Sequence, residues 1–333
     1  MLTLIVIIFG VSLILYALLG GADFGAGIVE TFAGGREERT ISRAMAPVWE
    51  ANHVWLILAV VILFTGFPSV YSSLSWVLHI PLMLVLLGII MRGSAFTFRH
   101  YDVHQGRAHK FYTFLFRVSS FVTPIFLGVV LGAMILGRIT FDASKGFYQM
   151  FMAPWFNLFC LTMGLFTACL FSYLASVFLL GETNIEWERL LYKKFSQRSM
   201  ILTAILGLLV FIVAEAEGHS LTRTFLNSIP SMTMLAVAVA LCPFIWHFLN
   251  KKKNKTVYLR VGIGVQVAAI ITGWFFIQFP IMIEVKDGAE LTIYNTQAPS
   301  ATQEQLLLAL IVGLLLIIPG FVFLFKVFKI KSA

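Results

Sequence analysis

LTLIVIIFGVSLILYALLGGADFGAG, residues 2–27, opens with an uncharged run over 2–22 and then places a single carboxylate, Asp23, among four glycines. The hydrocarbon core of a bilayer takes about 20 mainly apolar residues in helical form. Backbone N–H and C=O groups find no water there, so the segment has to satisfy them internally as a helix. The run therefore reads as a membrane-spanning helix over about 2–22. Eight further stretches repeat it: about 48–67, 76–95, 115–137, 155–180, 200–217, 232–250, 260–283 and 305–328. The two-residue alternation of a membrane β-barrel does not run through them. With no long linker and no water-soluble segment between them, the expected fold is all-α: an integral membrane protein whose residues 1–333 form one polytopic domain of nine transmembrane helices.

Composition agrees. Of 333 residues, 59% are hydrophobic and 12% charged, whereas soluble domains carry about a quarter charged residues. The net charge of +8 is distributed as a topology signal. Arg36, Arg39 and Arg43 follow the first span. Arg92, Arg99, Arg107, Lys110 and Arg117 surround the third connection, and Arg189, Lys193, Lys194 and Arg198 the fifth. Lys251, Lys252, Lys253, Lys255 and Arg260 mark the seventh, and Lys326, Lys329 and Lys331 close the chain. Of the 24 Lys and Arg, only Arg138, Lys145, Arg223 and Lys286 remain for the alternate loops. Loops rich in Lys and Arg stay in the cytoplasm, so the N-terminus is expected outside and the C-terminus inside. This pattern also argues against nucleic acid as a partner. Cys160, Cys169 and Cys242 lie in apolar runs without CxxC spacing and read as packing residues. The first span lacks a basic leader and a cleavage motif, so it is expected to be retained.

Ionisable groups at membrane depth mark candidate sites. Asp23 ends the first span. Glu50 lies in APVWEANHVW, 46–55, beside Asn52 and His53, and Arg92 lies in IIMRGSAFTFR, 89–99. Topology puts Asp23, Glu50 and Arg92 in one leaflet on three consecutive helices, where opposite charges would satisfy one another. Two readings stay open: an ion-pair cluster tying the helices together, or a proton path of partly buried carboxylates, with His53 three residues from Glu50 on its face. Gly20, Gly21, Gly25 and Gly27 suit close helix packing around Asp23.

The seven histidines raise the question of haem or metal. His79 and His219 fall toward the outside and form the best-matched pair. His53, His100 and His247 fall inside, and His104 and His109 sit in a basic loop as solvated residues. Neither HExxH nor CxxCH spacing occurs, and the one HxxxH spacing, His100 to His104, runs into the basic loop, so no metal ligation by this chain is expected. Several of the tryptophans (Trp49, Trp55, Trp76, Trp155, Trp187, Trp246, Trp274) fall near helix ends, as an interfacial belt would. Glu215, Glu217 and His219 read as a solvated outer edge or as part of an outward water path.

GADFGAG at 21–27, APVWEANHVWLI at 46–57 and MRGSAFTFR at 91–99 together resemble subunit II, the small non-haem subunit of cytochrome bd-type quinol oxidases. Phe279–Pro280 in the eighth span agrees. The resemblance implies two four-helix bundles plus one peripheral helix, in the plasma (inner) membrane of a prokaryote. It implies a complex that oxidises quinol and reduces dioxygen to water with cytoplasmic protons, electrogenic without pumping. The b and d haems and the quinol site would lie in a partner, subunit I, leaving room for small accessory subunits. Some members hold a quinone in subunit II in a structural role. By the motif match, Asp23, Glu50, His53, Trp55 and Arg92 fall on a proton path or polar cluster at the subunit interface, with Glu50 where some relatives carry Asp. Two rival functions remain. A proton-coupled secondary transporter would use Asp23 and Glu50, but it is expected to break helices in both halves, and the second half has no counterpart to the glycine cluster. The other rival is a scaffold without proton conduction.

Overall fold

The computed structural model describes residues 1–34, 38–101, 106–142, 144–251, 256–286, 288 and 290–330. Among these residues twelve helices follow in order: α1 (Leu2–Ala33), α2 (Glu38–Gly66), α3 (Pro68–Val77), α4 (His79–Tyr101), α5 (Arg107–Ile135), α6 (Phe147–Phe151), α7 (Leu158–Leu179), α8 (Glu186–Ala216), α9 (Leu221–Asn227), α10 (Ile229–Asn250), α11 (Thr256–Gln278) and α12 (Ser300–Ile330). Between α11 and α12, β1 (Ile281–Ile283) and β2 (Leu291–Thr292) form a small antiparallel pair. Among the described residues, nine helices are long and apolar enough to cross a bilayer: α1, α2, α4, α5, α7, α8, α10, α11 and α12.

Each expected span falls on one of these nine, but their ends differ. α1 continues eleven residues past 22 and takes in the whole glycine cluster, and α8 begins at Glu186, well before 200. At 32 residues, α1 is about 48 Å long against a core of about 30 Å. The apolar windows locate the buried centres. The ends continue because charged residues there find partners on neighbouring helices instead of stopping the helix.

α7 packs on α1, α5 and α8, α1 also on α2 and α5 on α4; α10 and α11 pair with one another and meet α1, α7 and α8 more sparsely, and α12 lies against α2 and α1. At the α5–α7 crossing a Cβ on Gly128 would stand 2.5 Å from the Met163 carbonyl, and one on Gly164 2.5 Å from that of Ile125. Only glycine permits this backbone approach. Apolar cores lie toward each end, one around Val129, Phe159 and Val213, the other around Val29, Tyr192 and Ile263.

Contacts between connections show which ends share a face. Glu188, at the start of α8, accepts a hydrogen bond from Thr40 of α2 at 3.0 Å. At the other end Arg138 pairs with Glu217 at 2.9 Å. The first of these faces carries the basic connections and is called the basic face below.

Candidate functional site

Near the basic face, α1 and α4 are joined by two charged rungs. Asp23 and Glu30 stand seven residues apart on α1, as do Arg92 and Arg99 on α4, so each pair shares a helix face two turns apart. In the deeper rung Arg92 Nη2 lies 2.7 Å from Asp23 Oδ1 and Nε donates to Oδ2 at 2.9 Å, a forked pair whose side chains are both 1% exposed. Nη1 donates to Ser120 of α5, and Nη2 also to the Asp23 carbonyl. Asn52 Nδ2 donates to Asp23 Oδ2 at 3.2 Å, which brings in α2. In the outer rung Arg99 Nη1 donates to both oxygens of Glu30, at 2.8 and 3.0 Å, and Glu30 is 0% exposed. Arg99 also reaches Ser42 at 3.1 Å and lies 3.5 Å from Glu38, which pairs with His109 at 3.1 Å.

Phe116 of α5 separates the rungs. The guanidinium of Arg92 stands 4.2 Å from its ring centroid and that of Arg99 4.0 Å. Each cation gains from the ring, while its own carboxylate offsets the like charge beyond. α1 approaches closely enough to place Asp23 because a Cβ on Gly25 would fall on the Phe171 carbonyl of α7, and one on Gly27 would fall on Ser120 and 2.8 Å from Arg92.

Of the predicted residues, Asp23 and Arg92 come together, and Asn52, which was not predicted to join them, donates to Asp23. Glu50 does not join them. It is exposed on the far side of α2, on a stripe with Arg43, Ile57 and Phe64. Shared depth was readable from topology, but a residue's direction around the helix axis separates Glu50 from Asn52, since neighbours two apart point to different sides. His53 turns to its own helix, with Nδ1 2.8 Å from the Trp49 carbonyl, so it makes no bond to Glu50. Trp55 is buried against Phe321 of α12 at 5.7 Å, away from Glu50. His109 is no solvated loop residue: it lies in α5 on Glu38 with its side chain 18% exposed. His104, and the side chain of His100, lie outside the described residues. Glu30, Glu38 and Arg99 were missed, although the seven-residue offsets from Asp23 and Arg92 were visible.

On the opposite face, His79 Nδ1 approaches the Trp76 carbonyl at 2.8 Å, and the His219 ring rests on Phe159 at 6.3 Å. Burial lowers the pKa of His219 from its ordinary value, partly offset by Glu215. Glu217 is bound into the structure through Arg138 and the Phe159 N–H, while Glu215 accepts from the Thr222 N–H at 3.0 Å. Glu284, after β1, is half-buried; burial first, and then the charge of Glu290, push its carboxyl up to about 7. An acid with a raised folded-state pKa holds its proton more tightly when folded. Its contribution to stability is therefore complete below the ordinary glutamate value of 4.5 and is lost as pH rises through about 7. Protection from hydrogen exchange over 281–286, measured against the intrinsic exchange rate at each pH, is expected to fall between pH 5 and 8, and Glu284→Gln to remove that fall. An equal pH response in the variant would show that another group controls it.

A cavity of about 1190 Å³ reaches the place where α8 meets α10 only sparsely; its walls come from α1, α2, α4, α5, α7, α8, α10 and α11. The lining is largely apolar, yet Tyr16 Oη, Tyr173 Oη, Thr203 Oγ1, Gln266 Oε1 and Trp274 Nε1 are buried there without a hydrogen-bond partner.

Comparison with known proteins places this geometry in context. The family model described as cytochrome bd terminal oxidase subunit II matches residues 1–328. The chain is 25% identical over 319 residues to cytochrome bd ubiquinol oxidase subunit 2 of Bacillus subtilis, covering 94% of this chain and 91% of that one. It is 32% identical over 130 residues to cytochrome bd-I ubiquinol oxidase subunit 2 of Escherichia coli, covering 38% and 34%. In fold it is similar to a chain of the bd oxidase from Geobacillus thermodenitrificans, with a TM-score of 0.80, 19% identity and 98% of both chains covered.

Proposed function

The chain belongs to the cytochrome bd terminal oxidase subunit II family and is a subunit of a membrane-bound quinol oxidase, and from this premise we propose that it braces a haem-bearing subunit I and carries part of a proton path. In this reading the basic face is cytoplasmic, which the distribution of Lys and Arg supports, and the membrane is the plasma membrane of a prokaryote. The transporter reading has no support beside this family membership.

The observation that carries the proposal is Glu50. It stands exposed on an α2 stripe whose other members include Ile57, 62% exposed, and Phe64, 59% exposed. A carboxylate facing hydrocarbon is costly, by about 2.5 kcal/mol or more at the centre of a bilayer. A partner subunit covering the stripe removes that cost. Glu50 then takes up cytoplasmic protons and passes them toward the partner, where oxygen is reduced. Asp23 and Arg92 have a different role. Their forked pair, with Asn52 as donor, pins the segment of α2 that bears Glu50, so they position it.

The family's structural quinone, held in this chain, would find its ring oxygens' partners among the buried donors of Tyr16, Tyr173, Thr203 and Trp274 and an apolar lining for its tail. It would brace the helices there and supply no electron transfer.

One preparation tests both parts. Glu50→Gln is expected to slow quinol-driven oxygen consumption about tenfold or more while the haem spectrum of the purified complex stays at wild-type intensity. Turnover at the wild-type rate would refute the relay. Haem lost together with activity would assign Glu50 to assembly. Solvent extraction of the washed wild-type complex should give quinone beyond what the partner's own site holds; none beyond it would leave the cavity without this occupant.

A further inference from the structure

α12 leans on α2 and meets α1 more sparsely, and between α1 and α12 the surface carries a furrow of about 820 Å³. Trp55 of α2, 7% exposed, and Ser12 of α1, fully buried, form its floor. Its lips are Ile7 and Val11 on one side and Ile318 and Val322 on the other, each 45–55% exposed. Both helices run toward the basic face. The Ala298 N–H, just before α12, donates at 2.8 Å to the carbonyl of Gly66, the last residue of α2 and the end remote from that face. Lys326 lines the furrow at its basic end. From Leu314 to Lys326 the wall measures about 18 Å, more than half of a hydrocarbon core about 30 Å thick.

Shape and charge decide what lies there. The only hydroxyl among the described lining residues, that of Ser12, donates to the Ile8 carbonyl of its own helix at 2.7 Å, so the bed is apolar. Membrane helices seat on one another through small residues. Here the lips are branched and the floor carries an indole, which suits a flexible chain better than a helix. The one cation of the lining, Lys326, takes no part in the ion pairs of the described residues. A lysine so placed keeps its stem on the apolar wall and its ammonium at the interface, where anionic headgroups supply the opposite charge. We infer that an anionic phospholipid occupies this furrow, one acyl chain along α1 and α12 and its headgroup on Lys326. The lipid fills the gap that α12 leaves beside α1. The seat is separate from Glu50 and from the larger cavity, and it does not depend on which side of the membrane the basic face lies.

The test uses the assembled oxidase, washed in detergent and equilibrated with equal amounts of phosphatidylglycerol and phosphatidylcholine bearing the same acyl chains. Native mass spectrometry then counts the lipids each complex retains. Wild type is expected to keep one lipid that Ile318→Trp, which fills the furrow, loses. In that lipid phosphatidylglycerol should exceed phosphatidylcholine about fivefold, the advantage one basic residue gives toward an anionic lipid. Lys326→Gln should keep the lipid and bring the ratio close to one. If Ile318→Trp does not assemble, as haem absorbance reports, Val11→Trp fills the furrow from the other lip and takes its place. A wild-type lipid count in the filled variant would overturn the seat. A ratio near one in wild type, or a preference unchanged in Lys326→Gln, would overturn the anionic lipid as its occupant.

Discussion

Arg92→Met should abolish most of the assembled oxidase. The substitution leaves Asp23, whose side chain is 1% exposed, as a carboxylate with only Asn52 donating to it from another side chain. Breaking a buried pair by removing one partner costs about 3–5 kcal/mol, a large share of the stability of most domains. The loss would reach beyond α4, since Arg92 also donates to Ser120 of α5 and lies on Phe116. The double variant Asp23→Asn with Arg92→Met is expected to recover part of the complex, because it removes the uncompensated charge. Haem absorbance per milligram of membrane, compared across wild type, single and double variants, checks this. A single variant at wild-type level, or a double variant worse than the single, would show that the pair does not hold these helices.

Gly25→Ala should be nearly as damaging, although it adds one methyl group to a helix. Its Cβ would fall on the Phe171 carbonyl and 2.8 Å from the Cβ of Ala175. A flexible side chain can turn away from such a contact, but a backbone carbonyl inside α7 cannot. The helices must separate, and the cost belongs at or above the ~3 kcal/mol upper end of overpacking. Separation also withdraws Asp23 from Arg92, so stability and site geometry are lost together. Gly10→Ala, where a Cβ meets nothing within 4 Å, is the matching control: it should melt like wild type, and Gly25→Ala well below it. Equal melting of the two would mean that α1 and α7 do not approach as closely as described.

The parts of this architecture legible in the sequence are those set by averages along a span. Apolar length placed the nine crossing helices found among the described residues, because the solvent itself demands about 20 such residues. Loop charge grouped the connections that meet at each face. Asp23 and Arg92 were legible as members of one charged cluster, which also took in Glu50, because opposite charges in one leaflet have few other ways to be satisfied. Direction around a helix was harder. Glu50 lies two positions before Asn52 and points to a different side, which depth alone does not reveal. The second rung was visible as an Asp-to-Glu and an Arg-to-Arg offset of seven, but those residues lay beyond the apolar windows and read as loop. His109 was misjudged for the same reason, since α5 extends into what composition marks as a connection. The cavity had no sequence signal: it arises from sparse contact between α8 and α10, and packing gaps leave no periodicity.

The seating of α12 carries a consequence for handling the molecule. It meets the rest along a narrow strip offered by α2 and α1, and Leu308, Leu315, Leu316 and Phe323 stand outward with 65–73% of their surface uncovered. Sliding off that strip exchanges apolar neighbours for lipid tails of the same character, at little cost. Its lateral berth is therefore assigned by the surroundings: annular lipid, detergent or an adjoining chain. Delipidation reaches this outrigger first, while the glycine-seated keel of α1, α5 and α7 keeps its spacing.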